Sequence, residues 1–104
     1  MPKPPPLTDD QRHAALAKAA EARRARAALK EELKAGKVRL SEVFERAEAD
    51  PVVAGTKILV ILESLPGNGK VKSRRDLEAC GIAESRRVRG VGNSQRERLL
   101  ALHS

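Results

Sequence analysis

From Thr8 to Ala35 the chain runs without a single proline or glycine, and alanine is the commonest residue along it. Nothing in that span breaks a helix, and alanine has the highest helix propensity of any residue. Thr8-Asp9-Asp10-Gln11 reads as a capping box, with Gln11 three residues beyond the capping hydroxyl. The two aspartates suit the positive end of the helix dipole, and Gly36 stands where a helix stops in a left-handed residue. About 27 helical residues span roughly 40 Å. Large apolar side chains are sparse: Leu16 comes early, Leu29 and Leu33 come late, and "AAEARRARAA" lies between. Alanine buries little area. The late half is therefore predicted to dock on the body of the protein. The early half is predicted to project as an arm displaying Arg23, Arg24 and Arg26, with a merely solvated helix face as the plainer alternative.

The rest of the chain also reads as helical. Residues 1–7, "MPKPPPL", form a proline-rich lead that should be extended. Leu40–Asp50 is a short amphipathic helix, with Ser41 as a candidate cap and Val43, Phe44 and Ala47 on one side. Asp50-Pro51 is a stop and restart, Asp as N-cap and Pro at the first helical position. Residues 52–65 contain "TKILVILESL". By composition this run could be a strand, but no partner strand exists elsewhere, so a buried helix is expected. Leu65–Gly69 is a turn and Lys70–Cys80 a helix stopped by Gly81, with Ile82 packing behind it. Ser85–Arg89 is a short turn before Gly90-Val91-Gly92. A last helix, capped by Asn93 or Ser94, runs to about Leu102 and offers Leu99, Leu100 and Leu102 as apolar residues. The predicted fold class is all-α: the lead, a long helix over 8–36, and a small helical domain over 37–104 whose hairpins occupy about 58–104.

Charge points to the partner. The chain carries 21 Lys and Arg against 14 Asp and Glu, a net charge of +7. Residues 1–50 hold 11 basic and 9 acidic side chains and residues 51–104 hold 10 and 5, so the excess lies in the second half. Such a balance favours an anionic partner, nucleic acid or an acidic surface, although an Arg-rich composition alone would give a milder version of it. Phe44 is the one aromatic residue. Readers of single strands stack bases on aromatic rings, so duplex backbone binding is favoured over single-strand binding. The longest apolar run, Ile58–Leu62, falls far short of the roughly 18 residues a membrane span needs. The single cysteine, Cys80, excludes an intrachain disulfide and suits a reducing cytosol. His13, His103 and Cys80 lack metal-ligand spacing. No nucleophile–base or paired-carboxylate arrangement is evident. The chain is thus expected to be no enzyme, with no metal, cofactor or small-molecule substrate.

The most informative stretch is residues 65–75, "LPGNGKVKSRR". It is no nucleotide P-loop: the first glycine of that motif would fall at Ser64, and the residue after Lys70 is Val71 rather than Ser or Thr. Two glycines do allow a backbone to come close to a phosphate, and the first amides of a helix point outward with the positive dipole end. Lys70 and Lys72 stand beside that point, with Arg74 and Arg75 a turn further on. Between Gly67 and Val91 there are seven basic residues against three acidic ones. The second Gly-x-Gly, at 90–92, also follows a basic cluster. A plain helix–helix corner that needs glycine for its turn is the structural alternative.

The order "LPGNGKVK", then "GIA", then "SRRVRGVG" resembles the helix-two-turns-helix domain of the actinobacterial integration host factor family. The long Ala/Arg helix behind a proline lead is similar to that family too, so the likeness covers nearly the whole chain. The resemblance implies a largely monomeric, all-helical nucleoid-associated protein of the cytoplasm that binds double-stranded DNA with little sequence preference. It implies backbone contacts at Gly67, Gly69, Lys70, Val71 and Lys72, a second group at Arg86, Arg87 and Arg89, and a further DNA contact from the N-terminal helix, where Arg23, Arg24 and Arg26 are the candidates; Asn68 and Arg74, in and just after the same turn, complete the expected DNA-binding residues. Two positions depart from the family pattern. An apolar residue usually stands at Asn68 and an alanine at Ser73, so Asn68 is expected either to leave the turn without its core anchor or to show its amide to the phosphate. A similar hairpin occurs in certain DNA glycosylases and in a ribosomal small-subunit protein. An RNA- or ribosome-associated role is therefore one alternative, and a protein–protein adaptor using the Ala-rich helix is another.

Overall fold

The computed structural model describes residues 8–103, which form six α-helices and one 3₁₀ turn: α1 (Asp9–Lys34), α2 (Leu40–Ala47), α3 (Pro51–Ala54), α4 (Ile58–Ser64), α5 (Gly69–Ala79), the 3₁₀ turn (Val88–Gly90) and α6 (Asn93–His103). The proline-rich lead lies outside the described residues. Among the described residues there is no strand, and no helix is long and apolar enough to cross a membrane. The fold is all-α.

α1 is closed at both ends by its own sequence. Gln11 N donates to Thr8 Oγ1 at 3.2 Å, and Thr8 N donates to Gln11 Oε1 at 3.0 Å, the reciprocal capping box. At the other end Gly36 is left-handed, with φ +73°. Lys37 N donates to Glu32 O at 2.9 Å and Gly36 N to Leu33 O at 3.1 Å, which satisfies carbonyls the helix would otherwise leave open. Gly81 ends α5 in the same way, Ile82 N donating to Leu77 O at 2.9 Å with Ile82 buried behind it.

Every side chain from Asp9 to Ala19 is exposed, Leu16 at 63% included, whereas Leu29 and Leu33 are buried. Those two leucines belong to the same core as Val43, Ile58, Ile61, Leu62, Leu77 and Leu99. α1 packs mainly along α4 and also meets α3. In core terms, then, the late half of α1 is part of the small helical domain. Phe44 is buried beneath the Arg96 guanidinium, 4.9 Å from its ring centre, a cation–π contact that joins α6 to α2.

Several local expectations differ from what forms. Ser41 does not cap α2; the residue before the helix is Arg39, and its N–H donates to Glu42 Oε1 at 3.3 Å. Asp50 does cap α3, its Oδ1 accepting from Val52 N at 2.9 Å, but α3 stops at Ala54, so that residues 52–65 form parts of two helices and the apolar run lies whole in α4. The break has a cause. Thr56 and Lys57 are drawn out to pair with the second turn, Ile58 N donating to Arg86 O at 3.0 Å and Val88 N to Thr56 O at 2.9 Å. In α6, Leu99 is buried but Leu102 is 52% exposed, because the helix end is held through His103 instead. His103 Nε2 lies 2.9 Å from Asp76 Oδ2 on α5, with both side chains almost buried.

Cutting Leu33 to alanine removes a fully buried side chain at the α1–body contact and is expected to cost about 2–5 kcal/mol of unfolding free energy. L16A, on the exposed half of the same helix, is expected to stay within about 0.5 kcal/mol of the parent protein. Urea denaturation of the two variants separates a docked α1 from a free one.

Candidate nucleic-acid interface

The hairpin between α4 and α5 is built on two left-handed glycines. Gly67 has φ +73° and Gly69 φ +68°, and Asn68 between them is right-handed. A Cβ placed on either glycine would meet nothing within 4 Å. Glycine is therefore required by backbone conformation and not by crowding, and the space in front of the turn is open to a ligand.

Asn68 corrects the sequence-based expectation. Its side chain is only 6% exposed and turns into the protein. Nδ2 donates to Leu62 O at 3.1 Å and to Ser73 Oγ at 2.8 Å, and Ser73 Oγ donates in turn to Gly69 O at 2.5 Å. The two departures from the family pattern touch each other. An apolar anchor facing an alanine has become an amide facing a hydroxyl, and the turn remains anchored. The side chain of Asn68 is thus no phosphate ligand. A buried amide must find partners, and Leu62 on α4 and Ser73 on α5 supply them, although Asn68 Oδ1 is buried with none. With Asn68 turned inward, no side chain caps α5. The first amides of α5 keep the open, positive helix end, and Lys70, Val71 and Lys72 are exposed around it, Val71 at 64%. Arg74 Nε makes an exposed ion pair with Glu84 Oε1 at 3.3 Å, so part of its charge is already answered.

The second turn is not a repeat of the first. Among the described residues, positive φ occurs at Gly36, Gly67, Gly69 and Gly81, and at neither Gly90 nor Gly92. A Cβ on Gly90 would lie 2.8 Å from Cδ of the exposed Arg86 side chain, which would have to shift. The N–H of Gly92 is taken by Gln95 Oε1 at 3.0 Å. The arginines of this turn are exposed but diverge. Arg86 donates to Gly90 O at 2.9 Å, Arg87 donates to Gly55 O across the bridge, and Arg89 lines a groove with Phe44, Glu48 and Arg96.

α1 joins the two turns. Arg23, Arg26 and Lys30 on α1 line a cleft with Lys57 and Arg87, floored by Ala27, Gly55, Thr56 and Val60. A neighbouring groove is lined by Lys30, Lys34, Val60, Glu63, Gly69 and Lys70. Lys30 and Val60 belong to both, so one basic surface runs from the hairpin along α1 to Arg87. Arg24 is exposed and lines no part of the cleft. Sequence reasoning missed Lys30, Lys34 and Lys57. The first two were legible: Arg23, Arg26, Lys30 and Lys34 recur at three- and four-residue steps, the spacing of one helix face. Lys57 reaches the cleft only through the bridge to Arg87. Among the described residues no cluster of metal ligands forms. Cys80 is buried at the end of α5, and burial, reinforced by Asp76, pushes its thiol pKa up, so it is a poor nucleophile.

Residues 33–102 match the family model for the S13-like H2TH domain. The chain is 51% identical over 96 residues to the integration host factor of Mycobacterium tuberculosis, covering 92% of this chain and 91% of that one. It belongs to the actinobacterial integration host factor family. The family's Streptomyces coelicolor member is 50% identical over 88% of this chain and 85% of its own. A solved structure of sIHF bound to an 8 bp palindromic DNA superposes with a TM-score of 0.81 at 44% identity, covering 84% of this chain and 98% of that one.

If Asn68 and Ser73 are one unit within this family member, their substitutions are not additive. S73A alone removes the acceptor of one buried N–H, and N68V alone removes the donor from Leu62 O, each at about 1–3 kcal/mol. The N68V/S73A double variant restores an apolar pair and is expected to cost less than the sum of the singles by about 0.5–3 kcal/mol in a thermal-denaturation cycle.

Proposed function

We propose that this integration host factor family member is a non-enzymatic, nucleoid-associated protein of the cytoplasm that binds double-stranded DNA as a monomer. It grips the sugar-phosphate backbone with little sequence preference. The observation that carries the reading is the uncapped start of α5, opened by two left-handed glycines and flanked by Lys70 and Lys72. One phosphate sits against Gly67, Gly69, Lys70, Val71 and Lys72, held by backbone amides and two ammonium groups. Arg87, reinforced by Lys30 and Lys34 on α1 and by Lys57 at the start of α4, extends the grip along the same face. Arg23 and Arg26 extend it further, while Arg24 lies outside it. Arg86 and Arg89 serve from the far side of the second turn, and Arg74 contributes after exchanging its partner Glu84 for a phosphate. Lys and Arg at phosphates position a duplex without reading it, which accounts for weak specificity. The DNA-bound sIHF structure supports the choice of duplex.

Because Arg87 and Arg89 line different grooves, contacts on both sides of the turn would bend one duplex or bridge two. Electron microscopy of DNA contour and clustering tests that part of the reading.

An RNA partner remains the specific alternative, since the matching family model is described as S13-like. Fluorescence anisotropy against random duplex DNA, with structured RNA as competitor, distinguishes the two. The wild type is expected to prefer the duplex. K70A/K72A is expected to weaken binding equally across sequences and to shrink the slope of log K against log salt by about 1, near 0.9 for the one phosphate the two lysines share. An unchanged slope, or stronger competition by RNA, overturns the reading. Removing residues 1–19 tests the exposed arm while leaving Leu29 and Leu33 in the core.

A further inference from the structure

The cleft between α1 and the α3–α4 junction holds more charge than a passing duplex strand would neutralise. Its volume is about 420 Å³, and Arg23, Arg26, Lys30, Lys57 and Arg87 line it with no carboxylate among the lining residues. None of the five makes an ion pair among the described residues. Five like charges around one small space repel one another, and a multivalent anion relieves that repulsion far better than a single phosphate does.

The guanidinium groups are also held in advance. Arg23 Nε donates to Ala19 O at 3.4 Å and Arg26 Nε to Ala22 O at 3.3 Å, both on the same helix, and Arg87 Nη1 donates to Gly55 O. Each arginine spends one N–H on a backbone carbonyl and keeps the rest of its fork for a ligand. A side chain already fixed loses less freedom on binding. The volume lies within the range of small-molecule sites, roughly 300–1,000 Å³. A duplex is a convex rod that presents phosphates one after another along its rim, so it lodges one of them here. A chain of linked phosphates places several in the same space.

We propose that this cleft is a binding site for a short oligophosphate chain, either inorganic or carried by a nucleotide. Arg23 and Arg26 grip one end from α1. Lys57 and Arg87 grip the other from the bridged backbone, and Lys30 closes the side nearest the hairpin. Val60 and Ala27 supply an apolar wall without hydrogen-bonding demands.

Isothermal titration calorimetry of the full chain, without DNA and at fixed ionic strength, tests the site. The probes are tripolyphosphate, GTP and orthophosphate. Tripolyphosphate is expected to bind one per chain, about tenfold or more tighter than orthophosphate. R23A/K57A is expected to lose about tenfold or more of that affinity, whereas K37A/R98A, which removes two charges elsewhere, retains it. Circular dichroism confirms that both variants fold. Equal affinity for GTP and tripolyphosphate assigns recognition to the phosphate chain, and tighter GTP assigns it to a nucleotide. Non-saturable heat, equal loss in both variants, or no preference over orthophosphate overturns the proposal. Since no DNA is present, failure here leaves the duplex reading standing, and failure of duplex binding leaves this one standing.

Discussion

Two backbone hydrogen bonds decide where the basic residues end up. Ile58 N to Arg86 O and Val88 N to Thr56 O fasten the second turn to the start of α4. Without them residues 52–65 could continue as a single helix. With them, α3 stops early, Gly55 is left with a carbonyl for Arg87, and Lys57 stands beside that arginine. The same fastening leaves Val60 facing α1, between the two grooves that carry Lys30. A pair of strand-like bonds in an all-helical protein thus builds the cation-lined face, and it costs one interruption, at residues 55–57, just ahead of the most apolar stretch of the chain.

The hairpin shows how anchoring and openness are reconciled. Asparagine is a preferred helix cap, and Asn68 occupies the capping position of α5. Had its side chain accepted from the α5 amides, the turn would have been more stable in isolation and closed to an anion. Instead the amide spends its donors on Leu62 and Ser73, leaving the α5 amides to another acceptor. The buried, unpartnered Asn68 Oδ1 is the cost of that choice.

Much of this was legible in the sequence, and the failures have identifiable causes. The ends of α1, the Asp50 cap and the Gly81 stop depend on neighbours within a few residues, and local chemistry gave them correctly. The fold class followed from the lack of any second strand-like run. Longer-range pairing was invisible. The split of residues 52–65 depends on Arg86 and Val88, some thirty positions away. The likeness of the two Gly-x-Gly turns was misleading, because sequence shows glycine but not the sign of φ: the first pair is left-handed and the second is not. Asn68 was misread because its partner, Ser73, was treated as a separate departure, when the two lie five residues apart and their side chains hydrogen-bond.

α1 completes the argument, since one helix serves two purposes with different residues. Leu29 and Leu33 fix its late half in the core, and that contact sets the rotation of the whole helix about its axis. Once the rotation is set, Arg23, Arg26, Lys30 and Lys34, repeating at helical steps, must fall on the side of α4, while Arg24, about 100° further round, cannot. The early half needs no packing to persist. Alanine-rich sequence, the capping box and two first-turn aspartates support it locally, and docking of the late half removes the cost of nucleation. The helix can therefore extend well past the core and still hold its shape. The two leucines that bury against the body are, by this geometry, the residues that aim the arginines.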